Sequence, residues 1–208
     1  MLIPRASPPV RTSEMEREAS PAPRGAMAIL AFAFTATWFV TTATAAHLPR
    51  LLEIAGAGTT AAIAAAALVG PAQVAARLVE FGALRTVHPL VSARLAAMLH
   101  PVGAVVLGLF GPGAITAFAV LHGAGNGLLT IAKGTLPLAI FGPAGYGLRS
   151  GILGAPARAT QAASPLLFGL LMDYIGIGVI AVSASLSLSA FVALLLLKAR
   201  LAAAHAPA

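Results

Sequence analysis

Six apolar stretches, each close to the length of one bilayer crossing, occupy nearly all of the chain after residue 24. A helix rises about 1.5 Å per residue, so a hydrocarbon core about 30 Å thick takes about 20 mainly apolar residues. The runs fall near 26–46, 59–80, 90–110, 113–133, 151–173 and 178–197. Turn-like or charged breaks separate them: His47-Leu-Pro-Arg50 to Gly58, Glu80 to Pro89, Gly111-Pro-Gly113, Gly142 to Ser150, and Asp173 to Gly178. Hydrophobic residues make up 59% of the sequence and Asp, Glu, Lys and Arg only 9%, against about 25% charged in soluble domains. A soluble domain could not cover that much apolar surface. Lipid and burial inside a large assembly are the two remedies, and the run lengths favour lipid. The expected fold class is therefore all-α, a polytopic membrane protein with six transmembrane helices.

The net charge of +7 would suggest nucleic acid in a soluble protein, but its placement says more than its sum, and no nucleic-acid partner is expected. With the N-terminus in the cytoplasm, Arg5, Arg11, Arg17 and Arg24 lie inside. So do Arg77, Arg85 and Arg94 around the second turn, Lys133, Arg149 and Arg158 around the fourth, and Lys198 and Arg200 after the last run. Arg50 alone falls outside, leaving 12 of the 13 basic residues inside. Basic loops stay in the cytoplasm during insertion, so this bias sets the orientation with both termini cytoplasmic. It also supports the count, because one missed crossing would invert every later cluster. Cysteine is absent, which excludes disulfides and thiolate metal sites, and no metal site or cofactor is expected.

Residues 1–24 carry five prolines and alternating charges around Glu14, Glu16 and Glu18, with no apolar core of a signal peptide. They are expected to form a disordered cytoplasmic leader or linker. Residues 25–200 form the expected transmembrane bundle, and 201–208 a short cytoplasmic tail.

Alanine and glycine crowd the runs, as in Ala61 to Ala67 and Gly123-Ala-Gly125-Asn-Gly127. Small residues let helix backbones approach where no hydrophobic drive exists between them. Gly70-Pro71, Pro156 and Pro165 are expected to kink or loosen the second and fifth runs. Polar residues are unevenly spread. The fourth run carries His122, Asn126, Thr130 and Lys133 on one face, and the second carries Gln73, Arg77 and Glu80. The fifth carries Arg158, Gln161 and Ser164, and the first Trp38 with several threonines. Runs one, two, four and five are thus expected to line a cavity, with three and six peripheral.

Each polar residue also has a structural reading. Threonines and serines bond their own backbone, and Gln73, Asn126 and Gln161 can bridge helices as readily as contact a solute. Arg77 and Glu80 are expected to pair at i, i+3 near the cytoplasmic end. Arg158 lies about two turns into its run, where a charge costs about 2.5–3.5 kcal/mol at full depth, unless it snorkels to the cytoplasm. His122 either relays protons or is a satisfied interior histidine.

This pattern resembles the C-terminal half of a major facilitator superfamily transporter over about residues 24–200. Pro165-Leu-Leu-Phe-Gly169-Leu-Leu-Met-Asp173-Tyr-Ile-Gly176 is similar to the family's proline-glycine helix followed by Gly-x-x-x-Asp-x-x-Gly at a tight turn, with Tyr174 where a basic residue is usual. Its glycines permit close packing and turning, and the aspartate can cap the next helix. Gly70, Arg77, Glu80, Gly82 and Arg85 keep the character of the family's other motif without its spacing. A faint echo between Gly70–Arg77 and Gly154–Gln161 fits an internal repeat. The resemblance implies a 3+3 inverted-repeat bundle in which family helices seven, eight, ten and eleven line the cavity and nine and twelve are peripheral, matching the runs here. It implies secondary active transport of a small molecule by alternating access, with a coupled proton as a candidate partner. Candidate substrate-contacting residues are Trp38, Gln73, His122, Asn126, Arg158 and Gln161, with Arg158 countering an anionic group. Gly70, Arg77, Glu80, Pro165, Gly169, Asp173 and Gly176 are the candidate structural and gating set. The expected setting is the bacterial inner membrane.

Six crossings are half of what that family's machine uses, so an N-terminal six-helix half or another copy of the chain is an expected partner. The alternative is a non-transporting half from a truncated or split gene. An intramembrane enzyme is disfavoured: Ser150-Gly151 lacks a rhomboid-type Gly-x-Ser-Gly setting, and Asp173 is the sole aspartate. No P-loop or paired Asn-Pro-Ala boxes occur.

Overall fold

The computed structural model describes residues 25–204. The leader (1–24) and residues 205–208 of the tail lie outside the described residues, as do the expectations placed on them. Every regular element among the described residues is helical: α1 Ala26–Ile54, α2 Thr59–Ala67, α3 Val69–Gly82, α4 Pro89–Phe110, α5 Ile115–Phe141, α6 Tyr146–Ile175 and α7 Val179–Ala204. Four stretches are long and apolar enough to cross a membrane, Ala26–Ile54, Thr59–Gly82, Pro89–Phe141 and Tyr146–Leu197. The last two, of 53 and 52 residues, are interrupted by 3-10 turns at Gly111–Ala114 and Gly176–Gly178. Gly111 and Gly176 have φ of 57° and 56°, a left-handed geometry that only glycine adopts without steric cost.

Helices overrun the apolar runs expected from sequence. α1 continues through Pro49 to Ile54, where a break was expected from His47, because Leu48, Leu51 and Leu52 are buried and packing carries the helix past the missing N–H. α5 continues past Lys133 and Pro137 to Phe141, and Arg149 donates to the Phe141 carbonyl, closing that helix end. α4 starts at Pro89 with His88 as its cap, the His88 ring accepting from the Leu90 amide at 3.1 Å.

The prolines act differently. The second run breaks at Leu68 into α2 and α3, since the Pro71 ring opposes the Ala67 carbonyl one turn back. α6, in contrast, stays continuous through Pro156 and Pro165. Ser164 Oγ donates to the Gln161 carbonyl at 2.9 Å, the acceptor that the missing N–H of Pro165 leaves free.

Packing directions follow from paired residues. α4 and α5 run antiparallel, with His100 on His122 and Gly103 on Phe118. α4 and α7 are also antiparallel, through His100 on Ser183 and Arg94 on the Leu194 carbonyl. α1 and α7 are antiparallel as well, since one apolar cluster joins Ala26–Ala36 to Ala190–Leu197 and the other joins Leu48–Leu52 to Val179 and Ile180. Two pairs are parallel. α3 follows α5, with Val69 against Gly123 and Gln73 against Gly127. α1 follows α6, with His47 on Pro165 and Arg50 on Asp173. These two large apolar clusters lie toward opposite ends of the bundle; between them is a middle layer, near residues 37–42, 98–103, 120–131 and 181–189, beside a smaller cluster of Ala76, Ala96, Leu128 and Leu129.

Candidate functional site

That middle layer holds a continuous chain of polar side chains. Thr41 Oγ1 donates to Asn126 Oδ1 at 2.8 Å, and Asn126 Nδ2 lies 3.3 Å from His122 Nε2. His122 Nδ1 is 3.0 Å from His100 Nδ1, and His100 Nε2 is 2.9 Å from Ser183 Oγ. Ser183 Oγ donates to the Ile180 carbonyl at 3.0 Å. One proton arrangement satisfies all of these contacts together. The Asn126 amide donates, so His122 Nε2 accepts and His122 Nδ1 carries the hydrogen. That hydrogen goes to His100 Nδ1, which leaves His100 protonated on Nε2 and donating to Ser183. Both imidazoles are neutral, and the chain runs in one direction through α1, α5, α4 and α7. His122 and Asn126 are 2% and 6% exposed, and the adjoining cavity is about 20 Å³, room for one water and not for a solute.

A second site opens nearer the end formed by the start of α1. It is a pocket of about 210 Å³ lined by Phe34, Trp38, Lys133, Tyr146, Ser150 and Arg158, together with the small and apolar residues between them. Trp38 comes from α1, Lys133 from α5 and Arg158 from α6. The Lys133 ammonium lies against the Trp38 ring and 5.9 Å from the Phe34 ring centroid. Tyr146 donates its hydroxyl to the Gly134 carbonyl at 2.9 Å, tying α6 to α5. Among the described residues, Ser150 Oγ is buried with no partner.

The candidate contact residues therefore divide. Trp38 and Arg158 share the pocket, while His122 and Asn126 belong to the sealed chain. Gln73 and Gln161 are half-buried and line neither. Of the structural set, Arg77 and Glu80 do not pair: Arg77 is exposed with its guanidinium 3.4 Å from Thr130 Oγ1, and Glu80 Oε2 is buried without a partner. Arg50–Asp173, at 2.5 Å, is the only ion pair among the described residues. It gives Asp173 a task other than capping the following helix, because a basic side chain from α1 reaches it first. Gly169 leaves room for the His47 ring, whose Cε1 lies 3.1 Å from where a Cβ would stand. His47 Nε2 donates to the Pro165 carbonyl at 2.8 Å, and Gly176 turns the chain with its positive φ. Gly70 meets open space.

Three residues outside the candidate contact set prove central: His100, Lys133 and His47. Lys133 shares a helical face with His122, Asn126 and Thr130, a visible signal. His100 stands alone among the apolar residues of α4, and its partners lie on other helices. Runs three and six, expected to be peripheral, supply His100 and the buried Ser183 to the middle of the bundle. Comparison by sequence finds no family model and no characterised protein that matches this chain.

Proposed function

We propose that the chain is a six-crossing transporter bundle of the major facilitator type, taking part in secondary active movement of a small molecule. The observation that carries this is the pattern of packing. Number the crossings α1, α2–α3, α4, α5, α6 and α7 as one to six. Exchanging one with four, two with five and three with six maps the packed pairs onto each other. The parallel pair α1–α6 becomes α5–α3, the antiparallel pair α1–α7 becomes α5–α4, and α4–α7 maps onto itself. Such exchange is what two three-helix repeats of opposite topology produce, and transporters built this way place sites where the repeats meet. The pocket between α1, α5 and α6 lies across that boundary.

A partner bundle fits the outer faces. The exposed faces of α2 and α6 carry Ala61, Ala64, Ala67, Gly151, Ala155 and Ala159, small residues suited to close helix contact. A second copy or a separate six-helix half would pack there, and rocking of the two bundles would supply alternating access. The test is solute flux in proteoliposomes containing the chain alone and the chain co-expressed with a six-helix partner. Flux in either preparation that Arg158→Ala abolishes, at unchanged membrane abundance, supports the reading. Absence of flux from both preparations over a broad solute panel contradicts it.

A further inference from the structure

We propose that the pocket between α1, α5 and α6 binds a small organic anion, its acidic group held by Lys133 and Arg158 and its apolar body against Trp38 and Phe34. This names a substrate class for the site given above and rests on that reading for its role in transport, though not for binding itself. Two basic side chains line the pocket and, among the described residues, no carboxylate does. Three acidic residues occur in the described part of the chain, and none is available: Asp173 is paired with Arg50, Glu53 stands at the far end of α1, and Glu80 is buried on α3. Two basic groups facing one partly dehydrated space disfavour each other's charged form, and an incoming anion favours it.

The remaining lining determines what kind of anion fits. The Lys133 Nζ sits over the indole face, where an ammonium gains a cation–π contact. The Arg158 guanidinium is exposed and its planar fork matches a carboxylate. Ser150 Oγ, buried without a partner, adds a neutral donor. Phe34, Trp38, Pro137, Leu153 and Ala157 make the rest of the wall apolar, which gives a strongly hydrated inorganic ion nothing in return for its water. At about 210 Å³ the space lies below the roughly 300–1,000 Å³ of sites for drug-sized ligands, so it suits a molecule of one ring or a short chain.

Trp38 is the only tryptophan in the chain, so its fluorescence reports this pocket directly. The experiment titrates the full chain, purified in detergent, with benzoate, with its neutral analogue benzamide, and with inorganic phosphate. The expected result is a saturable change with benzoate alone. Arg158→Gln and Lys133→Gln each weaken it by about tenfold or more, as loss of a charge-assisted hydrogen bond implies. Glu53→Gln, at the opposite end of α1 from the pocket, leaves it unaltered. An equal response to benzamide, a response to phosphate alone, no response at all, or benzoate binding indifferent to Arg158→Gln overturns the proposal. Flux is scored separately: benzoate binding without flux keeps the anion site and removes transport, whereas flux with no anion binding does the reverse.

Discussion

Asn126 joins α1 to α5 because both ends of its amide are used, the oxygen by Thr41 and the nitrogen by His122. Asn126→Leu keeps the volume but strands the buried His122 ring and the half-buried Thr41 hydroxyl, a buried polar group costing about 1–3 kcal/mol when left unsatisfied. The expected outcome is a lower unfolding midpoint in detergent micelles, with Thr41→Val, at the outer end of the chain, costing less. Equal stability of Asn126→Leu and the unaltered protein would show that the chain of contacts does not form. This network was only half legible in the sequence. His122 and Asn126 share a face of one helix and announce themselves by spacing. His100 and Ser183 meet them from helices 22 and 83 residues apart in the pairs they make, and no local pattern carries that information. Thr37, Thr130 and Thr135 bond their own helix backbone, the structural reading available for threonine from the start.

At the scale of the element, glycine placement decides which helices touch. A Cβ on Gly123 would stand 2.6 Å from the Val69 carbonyl oxygen, and one on Gly127 would stand 2.5 Å from that of Gln73. Both obstacles are backbone, so Gly127→Ala must push α3 away from α5, at a cost of about 1–3 kcal/mol typical of overpacking. Gly108→Ala, in α4 with nothing within 4 Å, is expected to be neutral or to stabilise by about 0.5–1 kcal/mol. Thermal unfolding of the two variants side by side tests this; a smaller loss for Gly127→Ala than for Gly108→Ala contradicts the packing. The Gly123-x-x-x-Gly127 spacing was readable as a contact face, whereas its partner helix was not. Element ends were the least legible feature. Apolar run length measures the hydrocarbon core, but hydrogen bonding and packing extend α1 and α5 beyond it, through Pro49 and Pro137, and start α6 early at Tyr146.

For the molecule as a whole, the reading as a transporter bundle stands on six crossings in alternating directions. The chain contains no cysteine, so single cysteines can be placed without background. Substituting Ala57, Pro112 and Ile177 puts one cysteine at the α1–α2 turn and one at each 3-10 turn, while Arg85 and Ala144 mark the two intervening turns. Labelling of intact cells with a membrane-impermeant maleimide, before and after permeabilisation, is the measurement. The account predicts that Ala57→Cys, Pro112→Cys and Ile177→Cys label from outside, and that Arg85→Cys and Ala144→Cys label only after permeabilisation. Pro112→Cys or Ile177→Cys labelling on the same side as Arg85→Cys would contradict it, because the 53- and 52-residue stretches would then not each cross the bilayer twice.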